Sequence, residues 1–235
     1  WYDIVGESMK FIQYVLAWLI TFILIIIVLI SSFNLAIYGD SQYHFFENEY
    51  IKYEIADKLD LEIPIIMDIT DHILNYLRGN EDNLSYILED GRDFFNEQDL
   101  FHMQDVREIF ITVFNFNWFL IISFIIILLI FIYIKGDWKN ILPNFYFLNL
   151  FLFFIVSLIV FIFCLIDFKE MFYFFHSFLF DNNLWLFQPQ SDLMIQLFPL
   201  EFFKDFGVRL VMIFIVFIFL LTLFFIKWKR IVKNK

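Results

Sequence analysis

Four apolar segments constrain this 235-residue chain more than any other feature, because each is long enough to cross a lipid bilayer. A hydrocarbon core of about 30 Å needs about 20 helical residues. The segments cover about residues 11–33, 109–134, 145–166 and 208–226, and hydrophobic residues make up 61% of the chain. That share is well above the usual composition of soluble domains. The sequence therefore predicts an all-α membrane protein with four transmembrane helices.

Basic residues at the ends of these segments predict the orientation of the chain. Lys and Arg near the ends of spanning helices are retained on the cytoplasmic side. The tail KWKRIVKNK after the fourth segment carries five of them, Lys10 precedes the first segment, and Lys135 and Lys139 lie between the second and third. We therefore expect both termini in the cytoplasm. Two parts then face outward: a cap at residues 34–108 and a re-entrant outer loop at residues 167–207.

The predicted extracytoplasmic cap carries the negative charge of the protein. Between Asp40 and Glu108 there are 18 acidic and five basic residues, a net charge of −13, compared with −11 for the whole chain. A surface of this charge repels the phosphate backbone of nucleic acids. A nucleic-acid partner is therefore excluded.

Helical patterns run through the cap. The stretch DITDHILNYLRG places apolar residues at helical spacing and ends at Gly79, a common helix terminator. The stretch NEQDLFHMQDVREIFITVF begins with an Asn that can cap a helix and continues into the second apolar segment without Gly or Pro. We expect a small, mostly helical cap with an extended piece at LEIPII, and one long helix that emerges from the bilayer.

Two histidines that are distant in sequence are predicted to lie at the outer membrane surface. His102 precedes the second apolar segment by seven residues, about 10 Å along a helix, and shares a helix face with Asp105. His176 lies nine residues after Asp167, where the third apolar segment has ended. Both imidazoles can therefore lie at the same depth.

Two sequence signatures accompany these histidines. HMQDV leads into the second apolar segment, and FFHSFLFDNNLWLFQPQSDLMIQLFPLEFF precedes the fourth. In this order, over nearly the whole chain, they resemble a family of bacterial four-span membrane proteins, the lipoprotein intramolecular transacylases. The positions of the second signature that match the family are His176, Phe180, Asn182, Trp185, Pro189, Asp192 and Pro199.

The resemblance implies an acyl transfer within one lipid in a bacterial plasma membrane. The substrate would be a lipoprotein whose N-terminal cysteine carries a diacylglyceryl thioether and a free α-amino group. One acyl chain would move from the sn-2 oxygen of the glycerol to that nitrogen, which gives the lyso-form lipoprotein. No cofactor is implied, and the partners would be this diacylglyceryl-modified lipoprotein and membrane lipid. We expect a monomer with its active site at the extracytoplasmic face.

The candidate residues suit this chemistry. An α-amino group titrates near pH 7.7–8, so a base must remove a proton before the nitrogen attacks an ester. Imidazole is suited to that step. We expect His176 to be the base, because its apolar segment favours the neutral ring, and His102, held by Asp105, to be the proton donor. The reverse assignment stays open.

Four further residues are candidates for substrate binding. Arg209 opens the fourth apolar segment, where it can reach the substrate or lipid phosphate. Asn182 and Asp192 can donate to the substrate or orient other groups, and Trp185 can line the site or anchor the chain at the membrane surface.

Two other functions fit part of the sequence. His102, Asp105 and His176 form a set that could ligate a divalent metal in a membrane hydrolase, although the proposed transfer needs no metal. A non-catalytic membrane subunit or a small-solute transporter is the other alternative. Against a transporter, no acidic or basic residue lies in the middle of an apolar segment.

Overall fold

The computed structural model of the protein describes residues 2–188 and 192–233. Within these ranges the chain forms no strand, and the extended pairing found there is an isolated bridge between Ile87 and Asp93. The prediction of an all-α protein is therefore confirmed. The helices are α1 (Tyr2–Tyr38), α2 (His44–Lys52), α3 (Ile55–Leu59), α4 (Ile63–Arg78), α5 (Glu97–Tyr133), α6 (Ile141–Ile166), α7 (Phe168–Leu179), α8 (Leu193–Leu197) and α9 (Leu200–Lys233).

Helices α1, α5, α6 and α9 contain the four apolar segments and are long and apolar enough to cross a membrane. This confirms the prediction of four transmembrane helices. Their outward side chains are large and apolar; on α6, for example, Phe151 is 60% exposed and Phe163 is 58% exposed. Such surfaces are stable against lipid chains rather than against water.

The chain divides into two compact units. The first comprises Trp1–Ala36, Phe116–Leu165 and Leu210–Lys235, and the second comprises Ile37–Asn115 and Ile166–Arg209. Helices α1, α5 and α9 each contribute residues to both units.

In the first unit, polar side chains of α6 bond to α1 and to α9. Nδ2 of Asn149, which is 3% exposed, donates to Oγ1 of Thr21 at 2.7 Å and to the carbonyl of Trp18 at 2.9 Å. Oη of Tyr146 lies 2.9 Å from Oγ1 of Thr222, and its ring stacks on Phe225 with centroids 4.2 Å apart. A polar group without a partner is costly inside a bilayer, so these bonds fix the pairing of the three helices.

The C-terminal end of α5 is closed by a Schellman motif. The Gly136 amide donates to the Phe131 carbonyl and the Lys135 amide donates to the Ile132 carbonyl, both at 2.9 Å, while Lys135 takes the left-handed conformation with φ 53°. These bonds satisfy carbonyls that have no partner within the helix. The Phe131 ring turns back over Gly136 and is fully buried.

The second unit is built around α2, α3, α4 and α8. Oη of Tyr50, which is fully buried, lies 2.8 Å from Oγ1 of Thr70, whose hydroxyl also donates to the carbonyl of Ile66. The Tyr50 ring stacks on Phe202 of α9 with centroids 6.1 Å apart. A polar bond at the centre of an apolar cluster gives these helices a defined register.

The expectation of an extended piece at LEIPII is wrong. Residues from Ile63 onward belong to α4, with Pro64 in its first turn. Proline is accepted there because the first helical amides have no partner within the helix. Helix α4 ends as predicted at Gly79, which has φ 83°.

The close packing of Phe131 on Gly136 predicts the effect of a single methyl group. In Gly136→Ala, Cβ would lie 2.6 Å from Cζ of the buried Phe131 ring, so one of them must move. We expect a loss of about 1–3 kcal/mol in the free energy of unfolding, measured as a lower midpoint of thermal unfolding in detergent.

Gly207→Ala is the matched control. Gly207 lies within α9, and a Cβ there meets no atom within 4 Å. We expect this variant to be as stable as the parent or about 0.5–1 kcal/mol more stable, because alanine favours a helix. Equal midpoints for Gly136→Ala and Gly207→Ala would contradict the packing described.

Candidate active site

Two imidazoles meet in the second unit. His102 of α5 and His176 of α7 have ring centroids 6.2 Å apart, with ring planes inclined by 32°. A substrate atom between two rings at this separation can reach both by hydrogen bonding. The structure therefore brings together the two histidines singled out from the sequence.

Each histidine lies on a helix with a capped beginning. At α5, the Asn96 amide donates to Oδ2 of Asp99 at 2.9 Å and the Asp99 amide donates to Oδ1 of Asn96 at 3.0 Å. At α7, Oδ1 of Asp167 accepts from the Glu170 amide at 3.0 Å. These bonds satisfy amides at the start of each helix and fix where the helix begins.

Aromatic rings surround both imidazoles. Around His102, the ring centroids of Phe180 and Phe187 lie 5.0 and 5.3 Å away. Around His176, those of Phe172 and Trp185 lie 4.1 and 5.3 Å away. The rings give both imidazoles a largely apolar environment, in which electrostatic interactions are stronger than in water.

A hydrogen bond determines which ring nitrogen of His176 carries the hydrogen. Nδ1 lies 2.8 Å from the Phe172 carbonyl, which can only accept, so Nδ1 carries the hydrogen. In the neutral ring the lone pair is then on Nε2. Burial lowers the pKa of His176 from its ordinary value, and the bond to Phe172 opposes this in part. His176 is therefore a neutral base at physiological pH, with Nε2 as the accepting atom.

His102 is the more buried of the two histidines, with 5% of its surface exposed. Its Nδ1 is buried and has no hydrogen-bond partner. Burial alone therefore does not single out His176 as the base. Burial lowers the pKa of His102 to about 4, so this ring is also neutral at physiological pH. The tautomer of His176, fixed by its bond to Phe172, is the feature that distinguishes the two rings.

Asp105 forms a hydrogen bond with Asn182 and acts on His102 through its charge. Its Oδ2 accepts from Nδ2 of Asn182 at 2.8 Å, whereas Nδ1 of His102 makes no hydrogen bond. The carboxylate thus joins α5 to the segment that follows α7, of which the structure describes residues 180–188 and 192. Asn182 in turn accepts from the Leu184 amide through Oδ1, and its carbonyl accepts from Nε1 of Trp185 at 2.8 Å.

Gln98 is a second link between α5 and this segment, and the sequence analysis missed it. Its Nε2 donates to the carbonyls of Leu184 and Leu186, at 2.8 and 3.2 Å. The signal available in the sequence is its spacing, because Gln98 lies one helical turn before His102 on the same face. Phe187 was missed as well, and no local pattern marks it.

The remaining predicted site residues take different places. Oδ1 of Asp192 accepts from Nδ2 of Asn96 at 3.3 Å, and Oδ2 accepts from the Gln188 amide at 2.6 Å, so Asp192 fixes the far end of the segment. The Arg209 guanidinium lies over the Phe45 ring, with Cζ 4.5 Å from the centroid. Pro189 of the second signature lies outside the described residues.

Among residues 2–188 and 192–233, no group of three or more His, Cys, Asp or Glu side chains could hold a metal ion. His102 and His176 are near each other, but the Asp105 carboxylate is directed to Asn182.

Comparison with known proteins decides the family. The model of the family described as lipoprotein intramolecular transacylase Lit matches residues 18–203. The chain belongs to this family. The resemblance seen in the two sequence signatures is thereby confirmed, and so is the expectation of a membrane transacylase. No curated protein matches the chain by sequence.

Solved structures of a Lit protein share the fold. Lipoprotein intramolecular transacylase Lit from Bacillus cereus matches with a TM-score of 0.71 at 20% identity, over 96% of this chain and 99% of that chain. Structures of that protein with one histidine replaced by arginine or by alanine match with TM-scores of 0.68 and 0.69, also at 20% identity. Each of these covers 98% of this chain, and 97% and 99% of its own chain.

The contact between Asp105 and Asn182 predicts the outcome of exchanging the two groups in this Lit-family chain. Asn182→Asp alone brings two carboxylates together, and we expect transacylase activity to fall at least about tenfold, since a hydrogen bond to a charged group contributes about 1.5–3 kcal/mol. Asp105→Asn combined with Asn182→Asp restores one donor facing one acceptor, and we expect it to recover most of the activity.

Activity of the two single variants and the double variant on a lipidated substrate forms a double-mutant cycle. Recovery in the double variant means that Asp105 acts by holding Asn182. A double variant as inactive as Asn182→Asp would show that Asp105 is needed for its charge near His102 instead.

Proposed function

We propose that this Lit-family chain moves the sn-2 acyl chain of a diacylglyceryl-cysteine lipoprotein to the α-amino group of the same cysteine. The observation that carries the proposal is the 6.2 Å separation of the His102 and His176 rings inside an aromatic enclosure. Starting from the α-ammonium group, the reaction needs two protons removed from nitrogen and one proton delivered to the departing glycerol oxygen. Two neutral imidazoles side by side can divide these steps.

In the proposed mechanism, His176 is the base. Nε2 takes a proton from the α-ammonium group, and the freed nitrogen attacks the carbonyl carbon of the sn-2 ester. The new C–N bond forms and the ester C–O bond breaks, while the nitrogen loses its second proton and the glycerol oxygen takes one up. The first proton leaves His176 for water. An ester and an amine thereby become an amide and an alcohol, without an acyl-enzyme.

His102 is proposed to act on the oxygen atoms of the sn-2 ester. Its buried Nδ1 has no partner in the protein, and an unsatisfied buried polar atom is costly. The buried ring is neutral and carries one N–H, which can donate to the ester oxygen that gains negative charge; such preorganised donors contribute strongly to acyl transfer. The ring can pass this proton to the glycerol oxygen when its other nitrogen takes up a proton.

The substrate itself contributes to the rate. Donor ester and acceptor amine belong to one molecule, so the site needs only to hold them at attacking distance. Among the proposed substrate-binding residues, Trp185 packs on His176, whereas Asn182 and Asp192 shape the segment that carries it. Nε of Arg209 is buried without a partner, and a headgroup or ester oxygen would satisfy it.

The placement in the membrane is part of the proposal. The basic tail and Lys10 favour cytoplasmic termini, and with four spans the histidine site then faces outward. Membrane lipid would surround α1, α5, α6 and α9, and the chain would act as a monomer on lipoproteins of a bacterial plasma membrane. The cap would occupy residues 34–108.

Replacing either histidine tests the proposal. In His176→Ala and in His102→Ala we expect kcat to fall by about 10²–10⁴, the usual contribution of a general acid or base. Activity is measured by incubating the purified protein with a synthetic diacylglyceryl lipopeptide and locating the acyl chain by mass spectrometry.

His44→Ala is the matched control, because His44 is an exposed histidine of the same unit that pairs with Asp40. We expect it to keep full activity. Full activity of both His102→Ala and His176→Ala would overturn the proposed mechanism.

The pH profile gives a separate test. A base must be unprotonated to act, so activity falls as the pH drops through the pKa of His176. Burial lowers that pKa below the ordinary value of 6.5. We therefore expect the acid limb of kcat/KM to lie below pH 6.5. An acid limb at or above pH 6.5 would contradict the assignment of His176 as the base.

A further inference from the structure

An open cavity of about 470 Å³ lies in the second unit beside the first turn of α5. We propose that this cavity binds the polypeptide part of the lipoprotein substrate, at the residues that follow the lipidated cysteine. The inference rests on the proposed function. Its lining includes Asp93, Phe94, Phe95, Glu97, Leu100 and Leu193.

The acyl chains and the polypeptide of the substrate must extend from the histidines in opposite directions. Its acyl chains extend toward lipid, and the apolar part of α5 begins at Ile109. Its polypeptide is water-soluble, so it extends toward the other end of α5. Leu100 and Glu97 precede His102 by two and five residues, which places them about 3 and 8 Å further from the apolar part. The cavity therefore lies on the side of the site where the polypeptide leaves.

The path from the histidines to the cavity crosses the end of α5. Successive helical residues turn by about 100°, so Leu100 faces away from Gln98 and His102. Helix α5 begins at Glu97, directly after Asn96, so a peptide passes over the tip of the helix rather than across its length. An extended chain advances about 3.3 Å per residue. The third to fifth residues after the cysteine can thus reach the cavity.

The segment that carries Trp185 connects the two places. Gln98 holds this segment at Leu184 and Leu186 beside the histidines, and Asn96 holds Asp192 at its far end. The next residue, Leu193, lines the cavity. The active site and the cavity therefore each take residues from this part of the chain, on either side of residues 189–191.

The lining indicates which polypeptides fit. Phe94 and Phe95 are buried and pack edge to face with centroids 4.9 Å apart, so the inner lining is apolar. The side chains of Asp93 and Glu97 are exposed at the rim. Two carboxylates at a rim attract lysine and arginine and repel acidic residues. The cavity therefore selects a substrate with basic residues shortly after the lipidated cysteine.

The position of the polypeptide can be tested by crosslinking to the intact protein in lipid nanodiscs. The probe is a diacylglyceryl-cysteine lipopeptide with a photoreactive diazirine at the fourth residue after the cysteine. We expect crosslinks at residues 93–100 and at Leu193, located by mass spectrometry. Crosslinks confined to other parts of the chain would overturn the proposal, whether or not the probe is turned over.

Specificity can be tested with three substrates: the lipidated cysteine amide alone, and the same lipid with a four-residue tail rich in lysine or in glutamate. We expect the lysine tail to give a KM about three- to tenfold lower than the glutamate tail, the size expected for two exposed charge pairs. The combined variant Asp93→Asn and Glu97→Gln should lose this difference and keep its kcat on the tail-less substrate.

Glu89→Gln is the matched control, because Glu89 is an exposed acid of the same loop that does not line the cavity. It should keep the preference for lysine. Equal KM values for the two tails in the parent protein would overturn the inferred specificity. Failure to convert the tail-less substrate would instead count against the proposed acyl transfer, because that substrate does not use the cavity.

Discussion

The hydrogen bonds between α5 and the segment after α7 hold the active site together. Gln98 and Asp105 lie about one turn on either side of His102, and both are bonded to the segment that carries Trp185. His102 lies on α5 and His176 lies on α7. The distance between the two imidazoles therefore depends on contacts between α5 and the chain around α7. Because the bonding groups lie on the same face of α5 as His102, the helix cannot rotate without breaking them. The separation of the rings therefore depends on the rotational setting of one helix.

The apolar segments impose a different constraint on the first unit. Inside a bilayer, hydrophobic burial does not drive helices together, and the rare polar groups determine which helices pair. Asn149 and Tyr146 lie three residues apart on α6, yet one bonds to α1 and the other to α9. A single helix thus orders its two neighbours through two polar side chains.

The sequence predicts features that depend on one segment at a time. Segment length and apolar content predict the spanning helices, and Asn96 and Gly79 correctly mark helix ends, because caps are decided by a few adjacent residues. The extended conformation predicted for LEIPII is wrong because proline disfavours a helical residue before it less strongly than it favours the first turn of a helix. The partner of Asp105, the role of Gln98 and the position of Phe187 depend on contacts across about 80 residues of chain. Spacing along one helix carries no information about such contacts.

The hydrogen-bond partner of His176 determines how the site can change during evolution. Its Nδ1 donates to the main-chain carbonyl of Phe172, four residues earlier in the same helix. Every amino acid supplies that carbonyl, so no substitution at position 172 that preserves the helix removes it. An orienting carboxylate would stabilise the protonated ring more, but a single mutation could delete it. The helix backbone therefore sets the orientation of this imidazole, and the orientation is kept when the surrounding side chains are substituted.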